Sequence, residues 1–189
     1  MAQVLLFHHA LGLTPGVHAF ADELRAAGHI VHTPDLFDGE TFGTVEAGVA
    51  FAGSIGFATL IERAKAAAED LTNELVYAGF SLGVMPAQML AQTRPGARAA
   101  VLMHAAVPLD EFGGSWPDGV ALQIHTMEDD DGGDVEVAQE IAQTVDGAEV
   151  FLYPGDRHLF TDRGSPDHDE EAASRVTERV LGLLQRLDV

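Results

Sequence analysis

The amino-acid sequence predicts an α/β fold with a mostly parallel sheet of about six strands and helices on both faces. Short apolar runs, each too short for a helix, alternate with longer stretches whose apolar residues recur at helical spacing. The chain also starts with strand, helix and strand within about thirty residues, the βαβ unit from which parallel sheets are built. Its 189 residues fit one domain, expected to cover residues 1–189.

The first strand and helix have the clearest local signals. Residues 4–7 form an apolar run beside a turn-like stretch, which predicts a strand buried on both faces. Thr14 is expected to cap the following helix, with Pro15 in its first turn and Gly28 at its end. The second strand is predicted at residues 29–33.

The rest of the chain repeats this alternation. An alanine-rich stretch at residues 44–70 predicts at least one helix, which the glycines at 53–56 break in two. The remaining strands are predicted at residues 74–77, 99–103, 120–125 and 149–153, and the remaining helices at 84–93, 135–145 and 170–187. Such folds bind ligands at the carboxyl ends of their strands, so residues that follow a strand are the candidates for function.

Charge and cysteine content exclude several classes of function. With 30 acidic and 10 basic residues, the net charge of −20 repels polyanions, which argues against nucleic acid and membrane surfaces as partners. The chain has no cysteine, and therefore no thiol nucleophile or thiolate metal site. It has no signal-peptide pattern and no long apolar run, which predicts a soluble, cytoplasmic protein.

A serine stands between two glycines in the stretch Gly79-Phe80-Ser81-Leu82-Gly83. The stretch follows a predicted strand and precedes a predicted helix, which is the context of a nucleophile elbow. So sharp a turn needs close neighbours without side chains, and it presents the serine Oγ to solvent. The five-residue pattern also occurs by chance, so its interpretation depends on partners elsewhere in the chain.

Two later strands are followed by candidate partners for Ser81. A serine nucleophile needs a base and a carboxylate that orients the base, and the expected chain order in this fold is serine, acid, histidine. The fifth strand is followed by Glu128 and the aspartates at 129–131, and the sixth strand is followed by His158. Order and position both fit a catalytic triad.

Stabilising an oxyanion requires donors that are fixed in advance, and backbone N–H groups meet this requirement. One expected donor is the N–H of Leu82, at the start of the helix behind Ser81. The other is expected from the loop after the first strand, with Ala10 as the donor.

These motifs resemble the dienelactone hydrolase family of α/β-hydrolases, especially its small bacterial members, over almost the whole chain. The resemblance is carried by the His-x-x-x-Gly loop at residues 8–12, Pro34-Asp35-Leu36, the elbow at 79–83, Asp130, Tyr153-Pro154-Gly155 and His158-Leu159-Phe160. It implies a three-layer α/β-hydrolase fold with Ser81, Asp130 and His158 as the triad. Only residues 107–119 separate the fourth and fifth strands, which leaves no room for a lid domain.

Three positions depart from the family pattern. The best-known members have a cysteine nucleophile where this chain has Ser81, a glutamate where it has His9, and a substrate-binding arginine where it has Asp162. The serine favours ordinary esterase chemistry, and the missing arginine makes dienelactone itself an unsuitable substrate. A pocket ringed by Asp130, Asp156 and Asp162 is expected to prefer neutral or cationic esters.

Each candidate also has a non-catalytic interpretation. Ser81 could occupy an ordinary glycine-flanked turn, His158 a loop position, and the aspartates at 129–131 a solvated acidic loop. The nine histidines invite a metal site, but they lack zinc-like spacing, and neither a metal nor another cofactor is expected.

The sequence therefore predicts a serine hydrolase that cleaves small carboxylic esters or lactones through an acyl-enzyme. Thioesters and peptides are further substrates for the same chemistry. The alternative is a non-catalytic protein of the same fold that binds a small molecule or a protein partner. The sequence carries no signal for an oligomeric state.

Overall fold

The computed structural model describes residues 1–187; Asp188 and Val189, the end of the expected 1–189 domain, lie outside the described residues. The strands are β1 (Gln3–Phe7), β2 (Ile30–His32), β3 (Leu75–Phe80), β4 (Ala99–Met103), β5 (Ala121–Met127) and β6 (Glu149–Tyr153). They form one sheet in the order β2-β1-β3-β4-β5-β6, and every neighbouring pair is parallel. All carboxyl ends of the strands therefore lie at one edge of the sheet.

The helices connect these strands. They are α1 (Pro15–Ala26), α2 (Val45–Ile55), α3 (Phe57–Glu69), α4 (Val84–Thr93), α5 (Val135–Thr144) and α6 (Glu170–Leu187). Thr14 caps α1 by accepting the Val17 N–H, and Thr44 caps α2 by accepting the Ala47 N–H. α2 and α3 meet at Gly56, whose φ of 86° is accessible to glycine without strain.

Alternate side chains of each strand face two separate cores. On β1, Leu5 and Phe7 join one core while Val4 and Leu6 join the other, as the two-residue period of a strand requires. α1 and α6 complete the core of Val4 and Leu6, and α2, α3, α4 and α5 complete the opposite one. The predicted three-layer arrangement with helices on both faces is confirmed.

The connection from β4 to β5 contains no α-helix. A short 3₁₀ helix, Leu109–Phe112, is its one regular element within the described chain. The Gln88 side-chain amide donates to the Val107 carbonyl at 2.6 Å and accepts the Val107 N–H at 3.0 Å. Gln92 donates to the Leu109 carbonyl at 3.0 Å. Two α4 side chains thus hold the connection, and residues 1–187 include no separate lid.

Two strands run farther than the local pattern predicts. β3 continues to Phe80 instead of ending at Tyr77, because its last residues still pair with β4. β5 continues to Met127, where it pairs with Tyr153 of β6. Both extensions lengthen the strands at their carboxyl ends, where the candidate site residues follow.

Within residues 1–187, no single helix has both the length and the apolar character needed to cross a membrane. α2 and α3 pass that test of length and composition only as a pair, and the pair is bent by 85°.

Candidate active site

Ser81 follows β3 in a backbone conformation that most residues avoid. Its φ is 48°, in the left-handed region where Cβ crowds the neighbouring carbonyl group. A Cβ on Gly79 would lie 2.1 Å from the Gly83 carbonyl oxygen, and a Cβ on Gly83 would lie 2.5 Å from the Phe7 carbonyl oxygen. Close backbone approach therefore requires glycine on both sides of the turn. The Ser81 side chain itself stays partly exposed.

His158, in the loop after β6, contacts Ser81. The distance from Ser81 Oγ to His158 Nε2 is 2.7 Å, and the distance from His158 Nδ1 to Asp130 Oδ2 is 2.8 Å. A carboxylate only accepts, so His158 Nδ1 carries the donated proton and Nε2 is left to accept from the Ser81 hydroxyl. The structure thus brings together three of the predicted site residues in the order that base catalysis requires.

Of the three consecutive aspartates after β5, Asp130 is the one that contacts His158. It is 7% exposed, and its Oδ1 accepts the Gly132 N–H at 2.9 Å. Asp129 and Asp131 are both exposed. A Cβ on Gly132 would lie 3.0 Å from His158 Nδ1, so this glycine makes room for the imidazole. The glycine directly after the three aspartates is the sequence signal of this close approach.

Ala10 and Leu82 have backbone N–H groups that are available as donors. Among residues 1–187, neither N–H donates to a side chain or to a loop carbonyl. Ala10 is buried, and its carbonyl oxygen faces α2, where a Cβ on Gly48 would lie 1.7 Å from it. Helix α2 therefore supports the loop after β1 from behind.

His8 fixes the same loop from the other side. The Leu36 N–H donates to His8 Nε2 at 3.0 Å, so the proton is on Nδ1, which donates to the His9 carbonyl at 2.8 Å. Burial lowers the pKa of His8 to about 4. His8 is thus a neutral structural histidine that joins the loop after β1 to the loop after β2.

His104, directly after β4, is a neighbour of His158 that the triad motifs do not indicate; it is one of the nine histidines that invited a metal site. It is buried, with its ring centroid 6.1 Å from that of His158 and its Nε2 2.7 Å from Thr161 Oγ1. Burial lowers the pKa of His104 well below its usual value, so it places no charge beside His158. Within the described chain, no three His, Cys, Asp or Glu side chains lie close enough together to hold a metal ion.

Asp162 does not face a substrate pocket as predicted. It is buried, and its Oδ2 lies 2.6 Å from His9 Nε2. Asp130 is directed at His158 instead, which leaves Asp156 as the one exposed member of the expected acidic ring. The expectation that Asp162 helps to ring a substrate pocket is therefore wrong, because its carboxylate is buried against His9.

Comparison with known proteins relates the chain to hydrolases. The model of the dienelactone hydrolase family matches residues 1–187, whereas no curated protein matches. A dienelactone hydrolase-like promiscuous phosphotriesterase from metagenomic libraries is 22% identical, with a TM-score of 0.80 over 99% of this chain and 87% of that one. The dienelactone hydrolase of Anabaena variabilis is 17% identical, with a TM-score of 0.72 over 98% and 86%. Est1E of Butyrivibrio proteoclasticus, solved with ferulic acid, is 15% identical, with a TM-score of 0.65 over 98% and 90%.

At such identities the structural likenesses establish the fold alone. The family match is independent of them, and it extends over the whole described chain. It confirms the resemblance that the sequence motifs predicted, and it implies a small-molecule substrate. The chain belongs to the dienelactone hydrolase family of α/β-hydrolases and is a hydrolase.

Proposed function

We propose that this hydrolase is a serine enzyme that cleaves small carboxylic esters or lactones through an acyl-enzyme. The observation that carries the proposal is a continuous pair of hydrogen bonds, 2.7 Å from Ser81 to His158 and 2.8 Å from His158 to Asp130. A carboxylate that orients an imidazole, which in turn contacts a serine hydroxyl, is the arrangement that activates a serine nucleophile. The left-handed φ of Ser81 supports the same role, because backbone strain concentrates at functional turns.

In the proposed reaction, His158 Nε2 takes the Ser81 hydroxyl proton while Oγ forms a bond to the ester carbonyl carbon. The Leu82 and Ala10 N–H groups donate to the oxygen that becomes negatively charged. The imidazolium, stabilised by Asp130, protonates the alkoxide as the C–O bond breaks. His158 then takes a proton from water, the hydroxide attacks the acyl carbon, and the proton returns to Ser81 as it leaves.

The charges around the site favour neutral substrates. The loop after β6 contains two arginines, and each lies beside a carboxylate. Arg157 Nη1 lies 3.8 Å from Asp169 Oδ2, and Arg163 Nη2 lies 2.5 Å from Glu23 Oε1. A substrate carboxylate would have to compete with these acids for the two arginines, and the net charge of −20 would repel it. The β4–β5 connection without a lid favours short, accessible esters.

Two structural neighbours suggest further probes. Est1E is solved with ferulic acid, and another neighbour is described as a promiscuous phosphotriesterase. We propose methyl esters of small aromatic acids and a neutral phosphotriester as second substrates, since each presents an electrophilic centre to the same nucleophile. The carboxylic ester is expected to react faster, because its planar carbonyl carbon matches ordinary acyl transfer.

The non-catalytic alternative needs neither a strained serine nor a buried acid. A residue held in a sparsely populated backbone region costs on the order of 1–3 kcal/mol of folding free energy. A protein that binds its ligand without chemistry would gain nothing from this conformation at Ser81. We therefore favour the hydrolase over the binding protein.

The test is to incubate the protein and its Ser81→Ala variant with a fluorophosphonate probe, and separately with a short-chain p-nitrophenyl ester. We expect labelling and hydrolysis by the unmodified protein and a fall of ~10³-fold or more in the variant. Equal labelling and equal hydrolysis in both proteins would contradict the proposal. Circular dichroism of both proteins shows whether the variant is folded.

A further inference from the structure

His9 and Asp162 form a buried pair that joins two parts of the candidate site. His9 directly precedes Ala10 in the loop after β1, and Asp162 belongs to the segment that follows His158. The distance from His9 Nε2 to Asp162 Oδ2 is 2.6 Å, across a separation of 153 residues. The exposed fractions of the two side chains are 1% and 5%. A contact this short and this buried restrains both segments.

The hydrogen bonds of His9 define its tautomer. The Leu11 N–H donates to His9 Nδ1 at 3.2 Å, so Nδ1 carries no proton. Nε2 therefore carries the proton and donates it to Asp162. A single imidazole thus holds the backbone directly after Ala10 with one nitrogen and the opposite segment with the other.

Asp162 is held as firmly as His9. Besides His9, its carboxylate accepts the Thr14 hydroxyl at 2.7 Å and the Gly164 N–H at 2.6 Å. Burial acts against ionisation, but these hydrogen bonds lower the pKa of Asp162 to about 2, so it is a carboxylate at neutral pH. A Cβ on Gly16 would lie 1.7 Å from Asp162 Oδ1, so the first turn of α1 closes over the carboxylate.

We propose that His9 and Asp162 are positioning residues that fix the Ala10 N–H relative to His158. The inference rests on the proposed function, because it assigns the geometry of an oxyanion site that the hydrolase chemistry requires. The base and the oxyanion donor approach the same substrate carbonyl from two separate segments. Displacement of one segment by about 1 Å weakens the hydrogen bond that forms only in the transition state. The pair holds the two segments at a constant distance.

The test uses two amides that each preserve one half of the His9 geometry. In His9→Gln the side-chain amide can occupy the position of Nε2 and donate to Asp162. In His9→Asn the amide can accept the Leu11 N–H, but the shorter side chain cannot reach Asp162 to donate to it. The control is His29→Asn, because His29 Nδ1 accepts the Ala2 N–H at the same distance of 3.2 Å at the opposite edge of the sheet.

The readouts are kcat/KM for a short-chain ester and inhibition by a trifluoromethyl ketone and its methyl ketone parent. The trifluoromethyl ketone is attacked by Ser81 to give a tetrahedral oxyanion, whereas the methyl ketone binds essentially without this step. For His9→Asn we expect kcat/KM to fall ~10-fold or more. The affinity for the trifluoromethyl ketone is expected to fall by the same factor, and the affinity for the methyl ketone is expected to stay unchanged. We expect His9→Gln and His29→Asn to stay within ~3-fold of the unmodified protein.

Equal loss of affinity for both ketones in His9→Asn would overturn the proposal, because it would indicate general distortion. Unchanged kinetics in His9→Asn, or an equal loss in His9→Gln, would also overturn it. If His9→Asn does not fold, Asp162→Ala removes the same contact and is expected to give the same selective loss. Hydrolysis that survives in Ser81→Ala refutes the proposed function instead, so the two failures are distinguishable.

Discussion

The carboxylate of Asp130 is joined to the imidazole of His158 by a hydrogen bond of 2.8 Å, while the aspartates on either side of it are exposed. We predict that Asp130→Asn lowers kcat/KM for a short-chain ester by ~10²–10⁴-fold, because an amide no longer holds the imidazole in the required tautomer. Asp129→Asn and Asp131→Asn remove the same charge without this contact and are expected to stay within ~3-fold. A larger loss in either neighbour would show that the acid is misassigned.

The left-handed backbone at Ser81 predicts an unusual order of stability. Ser81→Gly is expected to be more stable than Ser81→Ala by ~1 kcal/mol, because glycine relieves the strain at a φ of 48°. Both variants lack the hydroxyl, so their difference isolates the backbone. Free energies of unfolding in urea measure it. At Ser174, which is exposed within α6, the reverse order is expected, with alanine more stable.

A substitution at Gly48 of α2, outside the triad, is expected to lower activity. Gly48→Ala brings a methyl group against the Ala10 carbonyl oxygen, which lies 1.7 Å from the added Cβ position. The loop must shift, and with it the Ala10 N–H, so we expect kcat/KM to fall ~10-fold or more. Gly53→Ala in the same helix meets no atom within 4 Å and should leave kcat/KM unchanged. Similar kinetics in the two variants would contradict the role of Ala10.

Three buried histidines predict that the folded state weakens in mild acid. Burial lowers the pKa of His8 to about 4 and of His125 to about 3, and lowers that of His104 as well. From pH 6.5 toward 4, the unfolded chain binds protons on these side chains and the folded chain does not. Stability therefore falls as pH falls, by up to ~1.4 kcal/mol per pH unit for each histidine.

Urea unfolding at several pH values between 7.5 and 5 measures this slope. His125→Gln removes one of the three groups and lies outside the proposed catalytic residues. Its slope is expected to be lower by up to ~1.4 kcal/mol per pH unit. Parallel slopes for the variant and the unmodified protein would contradict a neutral His125 in the folded state.

Local patterns predicted the fold class and many element bounds. β4, β6, α4 and α6 have the bounds that their apolar spacing indicated, and Thr14 caps α1. β3 ends later than predicted because Gly79 and Phe80 pair with β4. Such pairing is a contact between distant parts of the chain, which no local pattern contains. The order of strands in the sheet depends on the same kind of contact.

The candidate site was likewise predicted in part: its triad was, and the contact between His9 and Asp162 was not. Chain order and strand ends indicated Ser81 and His158, and the resemblance selected Asp130; the structure brings these three together. Sequence reasoning noted His9 and Asp162 separately, as two departures from the family. Their contact spans 153 residues, and a single sequence carries no sign that two such distant positions belong together.

The β4–β5 connection gives the molecule an exposed segment that can accept an insertion. Gln88 and Gln92 of α4 hold the start of this connection by its backbone, and Leu109 anchors it in the core. Residues 113–119 are largely exposed and include three glycines with positive φ. Exposed turns of this kind tolerate insertions best. The segment leads into the amino end of β5, away from the carboxyl ends of the strands that Ser81 and His158 follow. A domain inserted there would therefore leave both the sheet and the candidate site intact, which makes this turn a place to attach a fused partner.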